Sequence, residues 1–257
     1  MATGRAVGGA GPDDLSKVKL VVVSDYPGGY EAEVGYPFWS NDTSPRKINR
    51  GQLKGKYTTP SYPTAGRYIR ETLYRLFGLD TYEEVWCTNA IKCTKFGPEG
   101  EDRTIASKHR RKCVRTHLLT ELSEIHKHNP DCPILIAGQE AFRAIYFLDS
   151  KLFQELDRLK LRRARRTNHF RLWGHPLVFT FNPATVKDNE FRIESQQGYD
   201  LGFATIRDRA SGFDVNKITR VERLPSSFEY FVGSPRWIYE QDLAFLRPFL
   251  QQILQQN

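Results

Sequence analysis

VVVSDYPGGYEAEVGYPF, residues 21–38, decides the fold. Its apolar start continues back to Val18, so residues 18–24 read as a buried strand with a polar stop. Glycine and proline then come too densely for a helix, which makes the rest a loop. Three later segments repeat the design: WCTNAIKC (86–93), PILIAGQEAF (133–142) and LVFTFNPATV (177–186). Each sets polar or glycine residues beside an apolar run of strand type. Between them lie helical stretches. AGRYIRETLYRLF (65–77) stops at Gly78, the stretch from about 105 to 128 has Val114, Leu118, Leu122 and Ile125 on one side, and a short helix covers QEAFRAIYFL. Strands alternating with helices predict an α/β fold around a mostly parallel sheet. Such sheets build their sites at the carboxyl ends of the strands.

The 257-residue chain carries a formal charge of +8, with apolar residues at 39%. That charge favours a polyanionic partner, most often nucleic acid. No stretch approaches the ~20 continuous apolar residues of a membrane span. The glycine- and alanine-rich start lacks the apolar core of a signal peptide. Residues 1–17 therefore read as a disordered leader, and a cytoplasmic, reducing compartment is expected. There, Cys87, Cys93, Cys113 and Cys132 would be thiols or ligands, not bridges. Residues 18–190 form the main domain, interrupted by a long basic insertion at 39–64. Residues 191–257 read as a C-terminal extension packed on the core, ending in an amphipathic helix.

Taken in order, the four segments resemble the uracil-DNA glycosylase superfamily, nearest the branch that includes iron–sulfur enzymes of thermophiles. In the first loop Asp25 matches the family's acid, and Pro27 and Gly28 its P-G. Gly35, Pro37 and Phe38 match its G-x-P-F end. Ala65-Gly66 resembles the A-G that opens the first helix, and Thr88-Asn89 with Lys92-Cys93 resembles T-N-x-x-K-C. Gly138 followed by Glu140-Ala141 resembles the exit of the third strand. Thr180-Phe181-Asn182-Pro183 stands where the family has T-Y-H-P. The resemblance covers about 18–190. It implies a uracil-DNA glycosylase-like fold, with a central four-stranded parallel sheet flanked by helices. It also implies a monomer that acts on DNA, expected double-stranded, and releases a base. Three departures stand out. Asn182 replaces the family's histidine. The N-terminal Cys-x-x-Cys of the iron–sulfur branch is missing, so no cofactor or metal is expected. The insertion and the tail have no counterpart in the small members.

The resemblance gives each residue a role. Breaking a pyrimidine N-glycosidic bond makes a cation-like sugar and an anionic base, and Asp25 is the candidate to stabilise the cation or activate water. Asn182 would hold charge on the departing base without giving up a proton. Phe38 would stack on a flipped base, and Asn89 would read its edge, uracil or cytosine according to how the amide is turned. Tyr26 and Gly28 complete the base site. A glycine at 28 leaves room beside the pyrimidine C5 position, which thymine, hydroxymethylcytosine or a glucosylated base would need. Lys47, Arg50, Lys54, Lys56 and Tyr57 of the insertion could touch a sugar on the base or the DNA backbone. Phosphate contacts are expected from Lys108, Arg110 and Arg111, and from Arg162, Arg163, Arg165 and Arg166. Thr185, Val186 and Lys187 match the segment that wedges into the duplex. The expected activity is a monofunctional DNA glycosylase for a modified cytosine of phage DNA. A uracil repair glycosylase and a non-catalytic DNA-binding protein on the same fold are the alternatives. A metal-dependent hydrolase would need more carboxylates than Asp25, Glu31 and Glu33.

Overall fold

A computed structural model describes residues 6–28, 31, 35–38, 65–93, 105–186, 221–223, 229–231 and 235–256. The insertion at 39–64 and Lys187 lie outside the described residues.

β1 (Leu20–Ser24) is buried along its whole length. β2 (Val85–Asn89) flanks it on one side and β3 (Ile134–Ala137) on the other, both parallel to it. β5 (His175–Thr180) runs parallel to β3. These are the four parallel strands expected. The sheet gains a fifth, β4 (Arg171–Leu172), antiparallel to β5, so the order is β2-β1-β3-β5-β4. Trp173 and Gly174 join β4 to β5 with φ of +53° and +99°, the left-handed pair that suits a two-residue hairpin turn.

Side chains alternate between two apolar layers. Val21, Val23, Ile134, Ile136, Leu177 and Phe179 face one layer. That layer is built from α3 (Leu119–His128) and α4 (Gln139–Leu148), with α2 (Ser107–Cys113) leading into α3 through a π-helical segment, Val114–Leu118. α5 (Ser150–Ala164) packs against α4. Leu20, Val22, Cys87, Leu135 and Val178 face the other layer. There lie α1 (Ala65–Phe77), α6 (Pro235–Ala244) and α7 (Arg247–Gln256), which contribute Ile69, Leu73, Tyr239, Leu243 and Leu250, with Leu246 between the last two helices. Helices on both faces explain why the strands read as continuous apolar runs. A separate hairpin pairs β6 (Val221–Arg223) with β7 (Glu229–Phe231).

Residues 6–17 depart from the disordered leader expected over 1–17. Val7 is fully buried and donates its N–H to the Lys92 carbonyl at 2.9 Å. Ala10 and Cys87 exchange both backbone bonds, at 2.9 and 2.7 Å. The segment thereby covers the outer edge of β2, whose backbone groups would otherwise be open for pairing. Gly9 makes this approach possible, because a Cβ there would sit 2.5 Å from Trp86 Nε1 and 2.8 Å from Glu121 Oε2.

Candidate functional site

The parallel register aligns the carboxyl ends of the sheet. Ser24 pairs with Asn89 on one side and Ala137 on the other, and Ala137 pairs with Thr180. Asp25 follows directly, half-buried, and its carboxylate is held by three donors. Oδ1 accepts the backbone N–H groups of Glu140 and Ala141, at 2.8 and 2.9 Å. Those are first-turn donors of α4, which have no partner inside their own helix. Oδ2 accepts from Asn182 Nδ2 at 3.2 Å. Gly138 admits this packing: its φ is +122°, and a Cβ would come within 2.3–2.5 Å of the Asp25 carboxylate. Burial raises the Asp25 carboxyl from the ordinary 3.8 to about 6, against the pull of the Ala141, Glu140 and Asn182 donors. Asp25 is thus a group that titrates just below neutral pH.

Asn182 is tied at every polar position. Nδ2 donates to Ser24 Oγ at 3.1 Å as well as to Asp25, and Oδ1 accepts the Ala184 N–H at 2.9 Å. It caps the helical turn that begins at Pro183. Both amide protons are therefore committed, one to Ser24 and one to Asp25. The resemblance assigns this side chain to the departing base; the structure gives it to the carboxylate.

Asn89 is 1% exposed, and its Nδ2 is buried with no hydrogen-bond partner among the described residues. A buried amide donor without an acceptor is costly and uncommon. Strand alternation sets Asn89 on the same face as Cys87 and Phe38. Phe38 is held by its backbone. Its N–H reaches the Glu31 carboxylate, which also takes the Gly28 N–H, and its carbonyl accepts from Arg70 Nε at 2.9 Å. Burial pushes the Glu31 carboxyl upward. The φ of Phe38 is +55°, a left-handed value that a phenylalanine adopts only under such constraint. Its ring is 4% exposed and packs in the apolar cluster with Tyr68, Ile69 and Val186.

Three expectations from sequence need correction. Tyr26, expected in the base site, packs against the α3–α4 layer, opposite Phe38, and its hydroxyl bonds Glu140. Val186, expected as a wedge in the duplex, is fully buried. The N–H groups of Thr185 and Val186 return to the Asn182 carbonyl, at 2.9 and 3.1 Å, and the turn buries the valine. Arg165, expected at a phosphate, is 3% exposed. It pairs with Asp242 of α6 at 3.1 Å and lies 3.9 Å from the centre of the Phe181 ring. Its neighbours Arg162, Arg163 and Arg166 are exposed, as are Lys108 and Arg111, whereas Arg110 is half-buried against Glu140 at 2.9 Å. Arg110 of one basic run thus meets Glu140, and Arg165 of the other lies against Phe181. Thr185 is half-buried beside Asn182.

Sequence reasoning missed Asp242. It accepts from Thr180 Oγ1 at 3.0 Å and pairs with Arg165, both partners buried. Burial pushes its carboxyl up, with Arg165 and Thr180 pulling against it. The C-terminal helix α6 thereby fastens the end of β5, two residues before Asn182.

The four cysteines do not fit a four-thiolate cluster. Cys87 is buried on one face of the sheet, and Cys113 and Cys132 belong to the cluster on the other. The leader segment that bridges Cys93 at Ala6 brings no thiol. Among the described residues, no group of three or more His, Cys, Asp or Glu side chains could hold a metal ion. No helix of the described residues is long and apolar enough to cross a membrane.

An open, mostly parallel α/β sheet with a carboxylate and two amides at its carboxyl edge defines the class. The chain belongs to the uracil DNA glycosylase superfamily, whose family model matches residues 12–198. A comparison with curated proteins found no match. Membership supports a DNA glycosylase in general, with DNA as the substrate.

Proposed function

We propose that the chain is a monofunctional DNA glycosylase that hydrolyses the N-glycosidic bond of a flipped pyrimidine and leaves an abasic site. The observation that carries this is Asp25: a carboxylate at the carboxyl edge of the sheet, ionised at neutral pH, locked by two backbone N–H groups and the Asn182 amide. Ionised, it stabilises the positive charge that grows on the sugar, or takes a proton from the attacking water. Asn182 acts as a positioning residue that fixes Oδ2. Asn89 offers its unpartnered amide donor to the base, to O4 of a uracil or N3 of a cytosine. Lys92, the lysine of the second segment, is turned to Thr88 and Glu121 and held there. Schiff-base strand cleavage by it is therefore not expected.

For the substrate we propose a cytosine enlarged at C5, hydroxymethylated or glucosylated, as in modified phage DNA. Gly28 supports this reading. A Cβ at Gly28 would press on the Glu31 carboxylate, 3.2 Å away, so the position favours glycine, and glycine adds no side-chain bulk to the proposed base site. The competing reading, a DNA-binding protein without catalysis, draws on the same hydrogen bonds, because a carboxylate capping a helix can be purely structural. Base release measured by mass spectrometry separates them. Purified protein is incubated with DNAs containing uracil, thymine, cytosine, hydroxymethylcytosine or glucosylated hydroxymethylcytosine. Release of a modified cytosine, lost in Asp25→Ala, supports the proposal. Release of uracil alone assigns a repair role. Tight DNA binding with no release from any substrate supports the non-catalytic reading.

A further inference from the structure

A cavity of about 360 Å³ opens between α2, α4 and α5, within the roughly 300–1,000 Å³ of small-ligand sites. Ile91, Val114, Ala144 and Phe153 give it apolar walls, and Arg110, Glu140, Arg143 and Tyr146 line it as well. It adjoins the Asp25 site. Glu140 holds the Asp25 carboxylate through its N–H, and the Ile91 N–H bonds the Asp25 carbonyl at 3.1 Å.

Three features ask for a ligand. Tyr146 is 51% exposed, yet braced edge-on by Phe147 and Phe153, with ring centres 5.3 and 5.5 Å away. Arg110 Nε is buried with no hydrogen-bond partner among the described residues. Arg110 and Arg143 also share one carboxylate, Glu140, at 2.9 and 2.8 Å. Two guanidinium groups thus converge on one carboxylate at the cavity's edge. An aromatic platform beside the exposed guanidinium of Arg143 suits a nucleotide: a base stacks on the ring, and a phosphate oxygen accepts from that arginine.

We propose that this cavity is a second nucleotide subsite. A base neighbouring the target on the same strand unstacks and lies against Tyr146, while its phosphate meets Arg110 and Arg143. The inference rests on the reading of DNA as substrate. A neighbour held here would open the duplex beside the target and ease extrusion of the target base.

The test uses the full chain and oligonucleotides carrying 2-aminopurine at each position flanking the target. Wild type should change the emission of the probe at one flanking position only, because there the base exchanges stacking on its neighbours for stacking on Tyr146. Tyr146→Ala should abolish that signal and weaken DNA binding by about 5- to 150-fold, while Tyr146→Trp keeps both. Arg143→Ala should lower the salt slope of binding by about one. Both side chains are exposed, so the variants should keep the wild-type melting temperature. Wild type that binds DNA and releases base with no flanking-probe signal refutes the subsite alone, as does Tyr146→Ala binding within twofold of wild type. Wild type that binds no DNA overturns the subsite and the glycosylase reading together.

Discussion

Replacing Asn182 by alanine should move the acid limb of base release to higher pH. Under the proposed chemistry Asp25 must be ionised to stabilise a sugar cation or accept a proton, and burial raises its carboxyl to about 6. The ionised fraction is therefore about one-tenth at pH 5 and about nine-tenths at pH 7, so the wild-type rate should climb roughly tenfold across that interval. Asn182 donates to the charged oxygen at 3.2 Å. A hydrogen bond to a charged group contributes about 1.5–3 kcal/mol, and one pKa unit corresponds to about 1.4 kcal/mol. Water that enters the gap restores part of this, so we expect an upward shift of about one unit. At pH 6 the variant would then run at roughly one-fifth of the wild-type rate, and above pH 8 the two would converge, except for any misplacement of Oδ2. The assay is single-turnover base release with enzyme in excess, from pH 5 to 9. Stability gives an independent check with a fixed sign. A carboxyl raised from 3.8 to about 6 contributes stability that is present below about 3.8 and lost as pH rises through about 6. Asp25→Asn should flatten that dependence. A wild-type rate independent of pH from 5 to 8, or an Asn182→Ala limb that stays in place, would refute the reasoning.

Three further outcomes are expected. Above about pH 8, where the Asp242 carboxyl is ionised, Asp242→Asn leaves Arg165 buried without its counter-charge, which costs about 3–5 kcal/mol; thermal unfolding there should show a melting temperature lower by roughly 6–20 °C in a chain of this size, while Arg165→Met with Asp242→Leu regains most of it. Gly138→Ala puts a methyl group into the Asp25 carboxylate, and base release at pH 7.5 should fall about a hundredfold or more through misplacement of the acid. Charge reversal at Arg162, Arg163 and Arg166 should weaken DNA binding and reduce its salt slope by about 0.9 for each phosphate no longer neutralised, as read by fluorescence anisotropy at several salt concentrations; reversal at Arg165 should instead unfold the protein.

The parallel core was legible because β1, β2, β3 and β5 are apolar runs closed by Ser24, Asn89, Gly138 and Asn182. β4 was not, since two residues carry no period, and only the Trp173-Gly174 turn marks it. The leader was misread for a compositional reason: glycine and alanine suggest disorder, yet here Gly9 is what lets the backbone lie against Trp86. Arg165 looked like its neighbours because charge alone does not distinguish a buried arginine. Its spacing does: it lies four residues after buried Leu161. Asp242 follows the same rule, between Tyr239 and Leu246 on the buried side of the C-terminal helices. The identities of Asp25 and Asn182 came from the order of the segments, but their mutual bond, across 157 residues, emerges only from the folded chain.

That bond changes what the substitution at 182 means under the proposed chemistry. A histidine there would have a proton to offer the departing base. Asn182 has its two amide protons on Ser24 and Asp25 and its oxygen on Ala184. Its contribution therefore moves from the leaving group to the carboxylate. The developing anion on the base must be met elsewhere, and the buried unpartnered Nδ2 of Asn89 is a donor ready for it among the described residues. An amide stabilises charge without transferring a proton, so the reaction falls more heavily on Asp25 and the sugar cation. Substituents that make the base a better leaving group should then accelerate release more steeply in this protein than in a variant where Asn182→His restores a proton donor. Rates across a series of 5-substituted pyrimidines, plotted against the acidity of the free base, would show equal slopes for the two proteins if Asn182 did serve the leaving base.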